Sequence, residues 1–166
     1  VTRALKARAL VLENRRLALA VAQGDAAERM LFGASAMVCD LRDQLRRIAR
    51  TPTDALIAGE RGSGTSKVAE VIHLLSAAAT RPFVKQPANA LDLAGLHAAV
   101  QAAAGGTLYL DEISRLALDV QAALLAMIEA GRLVRFLAGS TVDLEAEVAA
   151  GRMLEDLYFH FDVMRV

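Results

Sequence analysis

Ala55-Leu56-Ile57-Ala58-Gly59-Glu60-Arg61-Gly62-Ser63-Gly64-Thr65-Ser66 joins a short apolar segment to a glycine-rich turn, and a helical pattern follows from Thr65 to about Ala78. A short apolar run bounded by turn residues reads as a buried strand. Glycines let backbone N–H groups approach an anion, and the start of a helix adds its positive end, so strand, turn and helix together make a phosphate cradle. The full phosphate-loop signature is G-x-x-x-x-G-K-[ST]. Gly59 and Gly64 have that spacing, but Thr65 stands where the lysine belongs. Taken alone, Gly59 to Ser66 fits a structural strand-to-helix turn equally well.

Downstream, Gly105-Gly106 precedes Thr107-Leu108-Tyr109-Leu110, an apolar strand that delivers Asp111 and Glu112 at its carboxyl end. Ligands of open α/β sheets sit at that end of the strands. One carboxylate there, Asp111, can hold Mg²⁺ through water, while Glu112 can polarise an attacking water. A glycine-rich loop followed in this order by an Asp-Glu strand end is a stronger signal than either part.

The rest of the pattern builds a sheet around these two strands. Ser35 caps a helix from Ala36 to about Arg50, with Met37, Leu41, Leu45 and Ile48 on one face. Arg42, Arg46, Arg47 and Arg50 make its other side basic, as a solvated face or a phosphate contact would be. Phe83-Val84 is a second strand, Asp92 to Ala104 a helix, Leu116 to Ala130 another, and Leu133 to Leu137 a further strand. Leu144–Ala150 and Met153–Phe161 are helical, ahead of Val163 to Val166. Strands alternating with helices predict an α/β fold, a parallel sheet covered on both faces.

From Thr2 to about Gln23 neither Gly nor Pro interrupts a helical pattern in which Leu5, Leu12 and Leu19 recur every seven residues, with Leu10 and Leu17 as a second row. A dimerising coiled coil or signalling linker has this pattern, and so does a surface helix packed on its own domain. Residues 1–28 are therefore read as a linker helix and 29–166 as the globular domain.

Composition narrows the class. Hydrophobic residues make up 55% of the 166 and charged residues 23%, enough for one domain with a core and too apolar for a disordered chain. No apolar run approaches the roughly 18–20 residues of a membrane span. Val1-Thr2-Arg3-Ala4-Leu5-Lys6 does not look like a signal peptide, and Cys39 is the single cysteine, so a reducing cytoplasm is the expected setting. Formal net charge is zero, which predicts that any DNA contact is made by a domain outside this chain. His73, His97 and His160 lack ligand spacing, and Met30, Met127, Met153 and Met164 read as core fillers.

Several segments together resemble the sigma-54-dependent transcriptional activators. Glu13-Asn14-Arg15-Arg16-Leu17 and Arg46-Arg47-Ile48-Ala49 are similar to that family's linker and first AAA+ helix. Gly59 to Gly64 is similar to its GETGTGKE loop, and Arg81-Pro82-Phe83-Val84 to the strand that follows. Gly105-Gly106-Thr107-Leu108-Tyr109-Leu110-Asp111-Glu112-Ile113 is nearly its GGTLFLDEI, and Gly151-Arg152 with Glu155-Asp156-Leu157-Tyr158 matches its GRFREDLYYRLNV stretch. The linker most resembles response regulators of the dicarboxylate-transport and nitrogen-regulator type. The resemblance implies an AAA+ phosphate-loop NTPase-like domain that ends before the lid. It also implies a receiver before the domain and a DNA-binding helix-turn-helix after it, with ATP or ADP and Mg²⁺ held by Gly59, Glu60, Arg61, Gly62, Ser63, Gly64, Thr65, Ser66 and Asp111.

The departures point to a site that does not turn ATP over. Thr65 replaces the loop lysine, and Lys67, about 200° further round the helix, faces away from the phosphates. The family's two candidate arginine fingers fall on Leu154 and His160, its Asn-Cys on Pro87-Ala88, and its Thr-Asn sensor pair on Ser140-Thr141. Only Lys85 to Ala104 separates the Phe83-Val84 strand from Gly105, where the family carries a long insertion with the sigma-contacting GAFTGA loop. These features predict a regulatory module with weak nucleotide binding, acting through dimers or higher oligomers. A working ATPase with an unusual loop and an oligomerisation module without nucleotide are the competing readings.

Overall fold

The computed structural model describes residues 26–31, 35–59, 65–131 and 134–162. The leucine heptads of residues 2–23, the loop residues 60–64, Leu133, and Val163 to Val166 lie outside the described residues. A short helix α1 (Ala26–Met30) leads to α2 (Ala36–Ala49), then β1 (Ala55–Ala58), α3 (Thr65–Leu75), β2 (Phe83–Pro87) and α4 (Leu93–Ala102). After these come β3 (Thr107–Asp111), α5 (Leu118–Ala130), β4 (Arg135–Ser140), α6 (Leu144–Ala149) and α7 (Glu155–Asp162).

The four strands form one parallel sheet in the order β1-β4-β3-β2. Side chains alternate across it. Leu56, Leu108, Leu110, Phe136 and Ala138 join the core that packs on α4, α5 and α7, while Ala55, Ile57, Tyr109 and Leu137 join the core under α1, α2 and α3. Both faces are covered, as continuous apolar strands require.

Most element boundaries agree with the sequence pattern to within a few residues. Ser35 caps α2 by accepting the Val38 N–H at 3.3 Å. Two arginines on the basic side of α2 serve its own fold, Arg42 donating to the Leu31 carbonyl at 3.0 Å and Arg46 pairing with Asp43 at 2.9 Å, while Arg47 and Arg50 are exposed. Met37 is a correction, since it is 81% exposed and not on the buried face with Leu45 and Ile48. α3 ends at Leu75, because the Ser76 hydroxyl turns back on the His73 carbonyl at 2.6 Å. β4 begins at Arg135 and runs to Ser140, further along the chain than the expected Leu133–Leu137. α1 spans the expected linker boundary at residue 28, with Ala26 and Ala27 buried.

Three polar ties hold the layers in register. Buried His73 meets Thr107 Oγ1 and the Arg81 carbonyl, each at 2.9 Å. A carbonyl only accepts, so His73 donates from Nε2 and takes the Thr107 proton at Nδ1; burial, its largest influence, lowers its pKa and keeps the ring neutral. Arg135 donates to the Thr53 and Ile48 carbonyls at 3.0 and 2.8 Å, fastening the end of α2 to β4. Fully buried Asp54 accepts the Phe136 N–H at 2.8 Å and meets His160 Nε2 at 2.7 Å, joining β1, β4 and α7.

The connection from β2 to β3 is short. A single 3₁₀ turn (Ala88–Ala90) and α4 fill it, and Gly106 enters β3 directly. No helix among the described residues is long and apolar enough to cross a membrane.

Candidate nucleotide-binding site

All four strands being parallel, their carboxyl ends gather the residues singled out from the sequence. β1 hands over to Gly59, whose N–H donates to the Ser140 carbonyl at 3.0 Å and so fixes the start of the loop to the end of β4. Glu60, Arg61, Gly62, Ser63 and Gly64 lie outside the described residues; Thr65 and Ser66 open α3, both half-buried, with Lys67 exposed behind them. Asp111 ends β3, and Glu112 follows in the left-handed region at φ 58°.

The junction between the two motifs is a tyrosine. The Tyr109 hydroxyl lies 3.0 Å from Thr65 Oγ1 and 3.3 Å from Asp111 Oδ1, so the first residue of α3 and the carboxylate of β3 share one hydrogen-bonded group. Tyr109 is fully buried, and that burial above all raises its pKa, so the phenol stays protonated. A β-carbon at position 139 would take the hydroxyl's place, which is why β4 carries glycine there.

Glu112 is restrained from the backbone. Its Oε2 accepts the Thr141 N–H at 3.2 Å, so the residue after β4 holds the carboxylate. A non-glycine residue in the left-handed region stores about 1–3 kcal/mol of strain and persists only when its surroundings fix it. The Ser140 hydroxyl is taken up by its own turn, donating to the Val142 carbonyl at 2.9 Å.

The two positions expected to align with arginine fingers are both held by the fold. Leu154 packs against the core and its N–H donates to Gln121 Oε1 at 2.8 Å, while the His160 ring is turned inward to Asp54. A cavity of about 330 Å³, lined by Arg50, Gly105, Gly106 and Arg135 among others, lies at the amino end of β3 and β4, opposite the carboxylates.

The sigma-54 interaction domain model matches residues 32–166. The chain belongs to the sigma-54 interaction domain family. It is 36% identical to the C4-dicarboxylate transport transcriptional regulatory protein DctD of Pseudomonas aeruginosa, over 98% of this chain and 42% of that protein. The alignment is 194 positions long against a chain of 166, so residues of the relative lack counterparts here. NtrX from Brucella abortus, solved in complex with ADP, superposes with a TM-score of 0.76 at 26% identity, covering 99% of this chain and 42% of that one. The phosphate-loop NTPase domain of an Escherichia coli sigma-54 transport activator shares the fold, with a TM-score of 0.69 at 22% identity over 81% of this chain and 96% of its own. The sigma-54 interaction domain described here thus spans less than half the length of the curated relative.

Sequence reasoning placed the loop, Asp111 and Glu112 in this domain, but missed Tyr109, the Thr141 N–H and the Asp54–His160 pair. Tyr109 looked like an ordinary core aromatic within an apolar strand. Thr141 acts through its backbone, which no side-chain pattern reveals.

Proposed function

We propose that this chain is the central regulatory domain of a bacterial two-component transcription regulator, that it binds ATP or ADP weakly, and that it neither hydrolyses ATP nor engages sigma-54. One observation carries the reading: Thr65, in the lysine's place, is engaged with Tyr109 and offers no charge to a phosphate. Backbone N–H groups from Gly59 to Ser66 and the amino end of α3 remain as the anion cradle. Asp111 and the Ser66 hydroxyl are oxygen donors suited to Mg²⁺, which with bound nucleotide would neutralise phosphate charge. Glu112 would orient water beside them. The inward-turned His160 and core-packed Leu154 supply no arginine to a neighbouring subunit, and the short β2–β3 connection leaves no room for a sigma-contacting loop.

Calorimetry with ATP and ADP, together with a phosphate-release assay, tests this. Weak binding without turnover is the expected result. Steady phosphate release would make the domain a working ATPase with an unusual loop. Absence of any nucleotide binding would leave an oligomerisation module.

Self-association belongs to the same proposal. The helical pattern from Thr2 to about Gln23 forms the dimer contact, with Leu5, Leu12 and Leu19 at the seam, and higher oligomers build on that dimer. A receiver and a helix-turn-helix in the same polypeptide then supply the signal and the DNA contact, in the cytoplasm. In sedimentation experiments the 166-residue chain should run as a dimer or larger, and a chain beginning at Asp25 as a monomer. Equal association of both would mean that the leucine rows pack on their own domain.

A further inference from the structure

Two departures from the family's motifs, far apart in sequence, meet in space. Thr65 stands in place of the loop lysine, and Tyr109 in place of the phenylalanine of GGTLFLDEI. Their oxygens are 3.0 Å apart. A phenol has a single proton, and a carboxylate only accepts. Both contacts are made together when Thr65 donates to Tyr109 and Tyr109 donates to Asp111.

We propose that Tyr109 is a positioning residue that ties the start of α3 to Asp111 and, by occupying Asp111 Oδ1, sets how weakly nucleotide binding depends on Mg²⁺. The arrangement is built: Tyr109 is fully buried between α3 and the sheet, and Gly139 on the adjoining strand leaves space for its hydroxyl. A buried hydroxyl without partners is costly, so the phenol holds its bonds to Thr65 and Asp111. The bond from Tyr109 uses one of the two lone pairs of that oxygen and draws charge from the carboxylate, which makes Asp111 a weaker acceptor for a metal-bound water. The ion's contribution to binding is reduced by that much. Held to Thr65 and Asp111 at once, the hydroxyl also fixes the distance between the start of α3 and the carboxylate end of β3.

The proposal rests on the nucleotide-binding reading for its first test and stands apart from it in the second. A fluorescent ATP analogue is titrated against the full chain with excess Mg²⁺ and with chelator. Tyr109→Phe keeps the ring and loses the hydroxyl; the ratio of affinities with and without Mg²⁺ should rise about tenfold, the equivalent of one hydrogen bond to a charged group. Thr65→Val removes the other partner and leaves the phenol on Asp111, so its ratio should stay at the parent's low value. An unchanged ratio in Tyr109→Phe, or an equal rise in Thr65→Val, overturns the proposal. If no protein binds the analogue, the nucleotide reading fails, and Mn²⁺ titration of the nucleotide-free proteins by electron paramagnetic resonance decides. Tyr109→Phe then binds Mn²⁺ about tenfold more tightly than the parent, or the proposal is wrong.

Discussion

Thr65→Lys is expected to bind ATP about 10- to 100-fold more tightly than the parent, the range of a charge-assisted hydrogen bond to phosphate. The position is prepared for it. Thr65 is the first residue of α3, shares the Tyr109 hydroxyl with Asp111, and follows a loop that begins at a fixed Gly59. Phosphate release is nonetheless expected to stay at background. An arginine finger is worth about 10³ to 10⁵ in rate, and the two positions that would carry one are committed elsewhere. Leu154 packs against the core, and His160 holds the buried carboxylate of Asp54. Leu154→Arg would therefore put a guanidinium at a core edge, and His160→Arg would take an imidazole partner from Asp54. Neither simply adds a finger. Sigma-54-dependent open-complex formation should remain absent in each variant, because only a 3₁₀ turn and α4 bridge β2 and β3. Robust turnover from Thr65→Lys by itself would show that the remaining site is competent and that the finger positions matter less than their geometry suggests.

Gly106→Ala should lower the thermal unfolding midpoint by about 10 °C, while Gly105→Ala should be tolerated. A β-carbon at Gly106 would overlap the Pro82 carbonyl oxygen and lie 2.9 Å from its carbon, which is backbone and cannot rotate aside. Pro82 is itself held, because its carbonyl accepts the Thr107 N–H at 2.9 Å, and the Gly106 carbonyl accepts the Arg135 N–H at 3.0 Å. Relief would require β2 to leave β3. A loss of about 4 kcal/mol or more, near 10 °C in Tm, is the expected scale. Gly105 has φ +81°, a conformation that costs a side chain about 1 kcal/mol, and its nearest neighbour is Arg81 Cδ at 3.8 Å, which can move. Thermal unfolding of the two single variants checks the order. Equal losses would mean that the sheet accommodates the methyl group by a shift that the backbone contacts argue against.

The glycine pair shows how far local sequence reaches. Gly105-Gly106 announced a turn before a strand, yet only the pairing of β2 with β3 separates a conformational requirement at Gly105 from a steric one at Gly106. The alternation of strands and helices, the cap at Ser35, and the placing of Gly59 and Asp111 on strand ends were all legible, because each depends on residues close in sequence. Met37 was misplaced for the complementary reason: periodicity gives a helix face but not how far the neighbouring layer extends over it. The sequence alone determined that Gly59, Thr65 and the carboxylates Asp111 and Glu112 share one end of a parallel sheet, with a threonine at the lysine position of the phosphate-loop spacing. The tertiary structure decided that Tyr109 bridges Thr65 to Asp111, that a backbone N–H from Thr141 holds Glu112, and that His160 turns inward to Asp54. These bonds join atoms 29 to 106 residues apart, apart from the local Tyr109–Asp111 contact. A hydrogen bond depends on distance and direction in space, and for such pairs those are set only when the sheet brings its strands into register.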